Sequence, residues 1–329
     1  MKSRFLLILG VCFLGNIAFA QNWEWWPLGL THENIKGDTL YYGAEILGVA
    51  SSGNYAPFWI QSNRNGNISA SPYSGNISAS IYKPATQPHR WYDYDFAVQL
   101  TGRVQSNIPT LFSPYKKRGT GYFNLLYGHV RLYFVDITAG IKPIVYESVD
   151  PLLSSGSMIL SGNSQPIPRI TIGIDNYIPF PGTYGYMELK GGITHAWMTD
   201  NVYITNSRLH HKFAALRFGG KLPVNLSYEF HHAAQWGGFS PIHGNLGNDF
   251  HSFINVMMAQ SGGGSVNDQL NAQGNHVGSQ QLALTIKGIK WNVTAYWQNF
   301  FDDNFAFLGF GQNLPDGIWG ISIQQTKWK

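Results

Sequence analysis

Charge is scarce in this chain. Asp, Glu, Lys and Arg make up 12% of its 329 residues, about half the roughly 25% of an average soluble domain. That shortage argues against a helical enzyme, a coiled coil or an acidic disordered chain. Cysteine is nearly absent: the single copy is Cys12. A chain that loses its first 20 residues would have no disulfide and no thiol chemistry. After residue 21 no run reaches the roughly 18 apolar residues that a membrane helix needs. The motifs H-E-x-x-H, C-x-x-C and G-x-S-x-G are missing, as is a phosphate loop. No catalytic residue, cofactor or metal is expected.

What is plentiful is Gly, 37 residues or about 11% against roughly 7% in average usage. Aromatic residues reach 15%, and Asn, Ser, Gln and Thr occupy polar positions that charge would normally fill. Mean hydropathy is only −0.15. The first 20 residues have the form of a secretory signal. Lys2 and Arg4 precede the apolar run from Phe5 to Leu14, and Ala18-Phe19-Ala20 offers a cleavage site. Val11 before Cys12 is too large for a lipoprotein signal. The expected organisation is a signal peptide at 1–20 and one β-barrel domain at 21–329. Without Lys2 and Arg4, 20 basic residues face 18 acidic ones, a balance that implies no nucleic-acid partner.

Alternation with period two is the strongest pattern. Tyr92, Tyr94, Phe96, Val98 and Leu100 alternate with Asp93, Asp95, Ala97, Gln99 and Thr101. Val224, Leu226, Tyr228 and Phe230 alternate with Asn225, Ser227, Glu229 and His231. Similar patterns run through 169–175, 281–287, 291–298 and 319–324. A soluble sandwich also alternates. Loop length favours an outer-membrane barrel, with short turns on one side and long loops on the other. Strands are expected near 184–197, 207–218, 223–235, 279–287, 290–299 and 317–327. Short links at 219–222 and 288–289 then alternate with long ones at 236–278 and 300–316. Residues 121–142 are too long for one membrane strand of roughly 9–11 residues, so a tight turn is placed near 134–136. That makes 105–120 and 143–167 further long loops. The hexapeptide Gly66–Ser71 recurs as Gly75–Ser80 and reads as two strands of a meander. The one convincing helix is expected at 249–259, capped by Asp249 and ended by Gly262–Gly264, with Phe250, Phe253, Ile254 and Met257 on one face. Loop 236–278, which carries it, is expected to fold over or into the barrel mouth.

The 11 histidines include the pairs His210-His211 and His231-His232. Neighbours on a strand point to opposite faces, so neither pair chelates one metal simply. Asp93 and Asp95 share a face. They read as members of a lumen polar network with Arg131 and Glu229, or as a carboxylate pair for glycoside hydrolysis. Sugar binding needs flat aromatic faces and planar polar groups. The run from His231 through Gln235 and Trp236 to Gly238, and the amide-rich stretch 271–281, supply both.

The chain resembles the Wzi-type capsule assembly family of Gram-negative outer-membrane proteins. The resemblance rests on Tyr42-Gly43-Ala44-Glu45, Ala56-Pro57-Phe58-Trp59, Pro166-Ile167-Pro168-Arg169-Ile170 and Leu209-His210-His211-Lys212. It extends through His231–Gly238, Gly244–Phe250, Gly274–Gln281 and Pro315–Gly320, in order along the chain. It implies an all-β transmembrane antiparallel barrel of about eighteen strands, with loops occluding the lumen. It also implies a lectin-like, non-enzymatic role in holding capsular or extracellular polysaccharide at the cell surface. Family members continue past the end of this chain, in which about 11 to 14 strands are counted. The expected partners are polysaccharide, outer-membrane lipid and the barrel assembly machinery, with the protein as a monomer. The expected polysaccharide-binding residues are Trp236, Gln235, His231, Arg103, Lys116, Asn275 and His276. A diffusion porin and an outer-membrane hydrolase of lipid or glycan are the alternatives.

Overall fold

A computed structural model describes residues 40–85, 91–106, 119–143, 156–200, 203–262, 268, 270, 272–302 and 316–325. The signal segment 1–20 and Lys116 lie outside these residues. The chain forms two compact units. One holds the residues up to 133 with 139–144 and 161–166; the other holds 134–138, 145–160 and 167–329.

The protein is all-β and antiparallel. The strands are β1 (Tyr41–Ala50), β2 (Tyr73–Lys83), β3 (Tyr92–Gln105), β4 (Gly119–Leu132), β5 (Val135–Ile141), β6 (Pro168–Pro179) and β7 (Met187–Trp197). After these come β8 (Arg208–Phe218), β9 (Val224–Trp236), the short pair β10 (Phe239–Ser240) and β11 (Gly244–Asn245), β12 (Asn275–Lys287), β13 (Trp291–Phe301) and β14 (Ile318–Gln325). Twelve of them hydrogen-bond in chain order, with β10 and β11 forming a separate pair. Among the described residues, the loops carry the helices α1 (Phe58–Gln61) and α2 (Phe250–Met258). The expected hairpin within 121–142 exists, with its turn at Tyr133-Phe134, so β4 ends one residue before that turn. The links after β4, β8 and β12 are short, and those after β3, β5, β9 and β13 are long. This is the expected sorting by parity.

The first unit contains the ladder β1-β2-β3-β4. Here one expectation fails. The second copy of the repeat lies in β2, but Gly66–Ser71 is not a strand. The partner of β2 is β1, through pairs such as Ile46 with Ile77. Segment 51–72 folds instead onto the face that carries Asn76, Thr101 and Arg103. Arg103 Nη2 donates to the carbonyls of Gly66 and Asn67, and Asn76 Nδ2 donates to Asn67 O.

The second unit contains the ladder β6-β7-β8-β9-β12-β13-β14. Gly320 lies opposite Tyr296, and a Cβ there would meet the tyrosine ring at 2.2 Å. Only glycine lets that ring lie across the neighbouring strand. The helix starts as expected: Asp249 accepts at 2.8 Å from the Ser252 amide. It also ends where expected, but the residue that stops it is Ala259 in the left-handed conformation (φ 52°) and not the glycine run that begins at Gly262. Ser252, Asn255 and Val256 form its buried side, and Phe250 is 76% exposed.

The alternation is inverted relative to a water-soluble sheet. On β12, Leu282, Leu284 and Ile286 are exposed and Gln281 is buried. On β9, Val224 and Leu226 are exposed while Asn225, Ser227, Glu229 and His231 are buried. On β6, Ile170 and Ile172 are exposed and Arg169 and Thr171 are buried; on β14, Trp319, Ile321 and Ile323 flank a buried Ser322. The enclosed face of these strands is polar and the open face is apolar. In water such an arrangement forgoes the roughly 1.5–3 kcal/mol that burying each Val, Leu or Ile supplies.

Candidate functional site

The residues singled out for sugar binding gather mostly where β7 and β9 end and β8 and β12 begin, the end that carries the long links. Register sorts them into two layers. Gln235 lies opposite Leu209 on one side and Asn275 on the other. Gln235 Nε2 donates to Ser207 Oγ at 3.2 Å. Asn275 is exposed, so two planar amides stand side by side on the enclosed face at the strand ends. Four residues deeper on that face is His231, which is buried. Its ring stacks on His211 and on Phe213, with centroids 5.6 Å away in both cases. His231 Nε2 lies 3.6 Å from Glu229. Glu229, itself buried, lies 3.3 Å from Lys190 Nζ and accepts from Tyr177 Oη at 3.1 Å. His231 thus belongs to a polar network inside the wall and is not open to a polymer.

Trp236 belongs to the other layer. Counting by twos from Val224 and Leu226 reaches Phe230, His232, Ala234 and Trp236, all on the open, apolar side of the sheet. Yet Trp236 is only 4% exposed, because α2 lies over it. Ala234, Trp236, Val256 and Phe253 pack together, and the rings of Trp236 and Phe253 are 5.7 Å apart. Arg208 stacks on the indole at 4.9 Å and donates from Nη1 to Asn248 O at 3.1 Å. The expectation of an open stacking platform at Trp236 is therefore corrected: the ring is the floor under a helix. Loop 236–278 was expected to fold over or into the barrel mouth, and the same contacts set its helix α2 outside the enclosed face. Its seat is on the open side of β8 and β9, where Lys212 Nζ also donates to Met257 O. Among the described residues, segments 51–72 and 156–160 each meet enclosed-face side chains of their own unit. In the second unit, Gln298 Nε2 donates to Gly156 O at 3.4 Å.

His276 lies on the same open face beneath this loop. Its Nε2 donates to the carbonyl of Gln273 at 2.8 Å, so its Nδ1 accepts from His232 Nε2 at 2.9 Å. His210 and His195 are opposite one another, and Phe253 meets both edge-on at 5.7 and 5.6 Å. The pairs His210-His211 and His231-His232 do split between the two faces. Sequence reading missed that cross-strand register then regroups His195, His210, His232 and His276 on one face. The register was the missing information.

Arg103 was expected to meet acidic sugars. Its guanidinium is instead taken up by Asn76 Oδ1 at 3.2 Å, the carbonyls of Gly66 and Asn67, and the Tyr122 hydroxyl. Asp93 is buried and lies opposite Arg131, and Asp95 lies opposite His129. Asp95 pairs with His129 Nδ1 and, at 3.7 Å, with Lys142 Nζ. In the first unit Asp95 is thus held by His129 and Lys142, the Asp93 carboxylate accepts from the Tyr94 amide at 2.8 Å, and Glu229 serves a separate network.

No family model and no curated protein matches the chain. Among solved structures, a triple mutant of the Rhodopseudomonas blastica porin is similar over 88% of this chain and 91% of its own, with 10% identity and a TM-score of 0.29. A structure titled "Asymmetric conductivity of engineered proteins" covers 87% and 89%, with 11% identity and a TM-score of 0.29. A second mutant of the same porin covers 80% and 85%, with 11% identity and a TM-score of 0.27.

Proposed function

We propose that this chain is an outer-membrane β-barrel protein of non-enzymatic function that binds capsular or extracellular polysaccharide and holds it at the cell surface. The inverted alternation carries the membrane reading. Exposed Leu282, Leu284 and Ile286 beside buried Gln281 suit hydrocarbon outside and polar groups inside. Lipid leaves no backbone group unpaired, so the reading requires the sheet to close on itself. The family resemblance and the amide row of Gln235 and Asn275 support the polysaccharide reading. Adjacent planar amides can each donate to and accept from sugar hydroxyls. Cells lacking the protein should make polysaccharide but shed it, and Gln235→Ala with Asn275→Ala should weaken retention without lowering the amount of protein in the membrane. A normal cell-bound layer in the deletion strain, or hydrolysis of the polymer by pure protein, would overturn the reading. The continuous polar enclosed face favours a channel as the second reading, and steady high conductance in a planar bilayer would promote it.

A further inference from the structure

The seat of α2 has a consequence for the membrane. We infer that α2 is an interfacial foot: its outer ridge lies in the headgroup and upper acyl layer of the bilayer, alongside the strands it covers. This rests on the membrane reading proposed above.

The helix packs Val256 and Phe253 onto the sheet but keeps a second apolar side facing outward. It buries Ser252 and Asn255 together with Val256. Outward it presents Phe250, Ile254 and Met258, spaced four residues apart and so aligned along one ridge. Phe250 is 76% exposed and Met258 57%, with Ile254 partly exposed. A helix packed on a protein in water turns a polar face outward, and this one does not.

The direction of the ridge follows from the floor. The helix rests on Ala234 and Trp236, which continue the row of Val224 and Leu226 on the open face of β9. The side of the sheet that would meet hydrocarbon is thus the side that carries the helix. Along this row the strand changes character: Val224, Leu226, Tyr228 and Phe230 give way to His232, and on β8 Leu216 and Ala214 give way to Lys212 and His210. Polar side chains on the open face need cover, and α2 supplies it where the apolar row stops.

Charge fits the same place. The ridge residues Phe250, Ile254 and Met258 carry no charge, and the nearest carboxylate, the Asp249 cap, is turned back onto the Ser252 amide. Behind the ridge, Lys212 and Arg208 hold the loop through Met257 O and Asn248 O. They set positive charge at the depth where lipid phosphates lie. Leu270, 79% exposed, adds a further apolar group in the same loop.

Spin labelling tests the inference. In the full chain with Cys12→Ser, single variants Phe250→Cys, Met258→Cys and Leu226→Cys would be labelled in vesicles of phosphatidylethanolamine and phosphatidylglycerol. Collision with oxygen is then compared with collision with a water-soluble nickel chelate. Labels at 250 and 258 should favour oxygen over nickel by several-fold relative to free label, at a shallower depth than the label at 226. Nickel access at both 250 and 258 equal to that of free label, with 226 in hydrocarbon, would overturn the foot and leave the barrel standing. An aqueous signal at 226 as well would overturn the membrane reading and this inference with it.

Discussion

The indole of Trp236 and the ring of Phe253 lie 5.7 Å apart, and that contact joins strand β9 to helix α2 on the open side of the sheet. Removing the indole should cost about 3 kcal/mol by the usual scale of large-to-small core changes. The loss falls on the loop and spares the strand ladder. Trp236→Ala should therefore leave the heat-dependent gel shift of the folded protein intact while residues 237–274 become sensitive to protease. Equal protection of wild type and variant would show that the helix is held elsewhere.

The N-terminus of the same helix gives a pH dependence. The Ser252 amide donates to the Asp249 carboxylate and holds its pKa below the ordinary 3.8. A depressed carboxylate stabilises the folded helix above its unfolded pKa, and that contribution disappears as pH falls through the folded value. Protease sensitivity of 237–274 should accordingly rise at strongly acidic pH in the wild type. Asp249→Asn keeps a capping side chain and should remove that part of the pH response, and Asp249→Ala should raise sensitivity at neutral pH too.

Much of this architecture was legible in the sequence. Strand positions followed from period-two alternation, and the sorting of links by length followed from where Gly219 and Gly288 punctuate the pattern. The cap at Asp249 was readable because Asp precedes apolar residues at helical spacing, Phe250, Phe253, Ile254 and Met257. The seat of α2 was not, although the parity that sets Trp236 in the row of Val224 is arithmetic. Parity names a face but not what covers it. The repeated hexapeptide failed for a related reason. Gly75–Ser80 pairs with β1, while Gly66–Ser71 is held by Arg103 and crowds Gln165, so that Gly66 sits at φ +65° with a missing Cβ 2.8 Å from Gln165 Cγ. One local sequence took two conformations because its tertiary partners differ. The binding residues were least legible, since exposure decided their roles: Trp236, His231 and Arg103 all spend their polar or aromatic surface on the protein itself.

Glu229 makes a test of the enclosed network. It is fully buried, with Lys190, Tyr177 and His231 around it. Glu229→Gln leaves Lys190 without its carboxylate in a buried setting and should destabilise the folded protein by about 3 kcal/mol. Adding Lys190→Met should recover most of the loss. Thermal unfolding in detergent, followed by gel shift, checks both. Recovery that fails to appear in the double variant would mean that Tyr177 and His231, and not the ion pair, dominate the site.

Arg103 holds a loop segment through a fork of hydrogen bonds. Its guanidinium spans from β3 to the carbonyls of Gly66 and Asn67 and to the Tyr122 hydroxyl, so it ties segment 51–72 against the enclosed face. Charge-assisted hydrogen bonds are about twice as strong as neutral ones, and no other residue type offers the same fork of donors. Arg103→Ala should therefore free the segment while leaving the pairing of β2 with β3 in place. If that segment narrows a lumen, wild-type protein in a planar bilayer conducts little and the variant conducts several-fold more. Arg103→Lys should fall between them, since a single ammonium cannot reach all the acceptors. Retention of polysaccharide should stay near normal in the variant, because the guanidinium is committed to the protein and is not presented to an acidic sugar. A variant that conducts like the wild type and sheds polymer would reverse both assignments, returning Arg103 to the binding surface and leaving occlusion to other side chains.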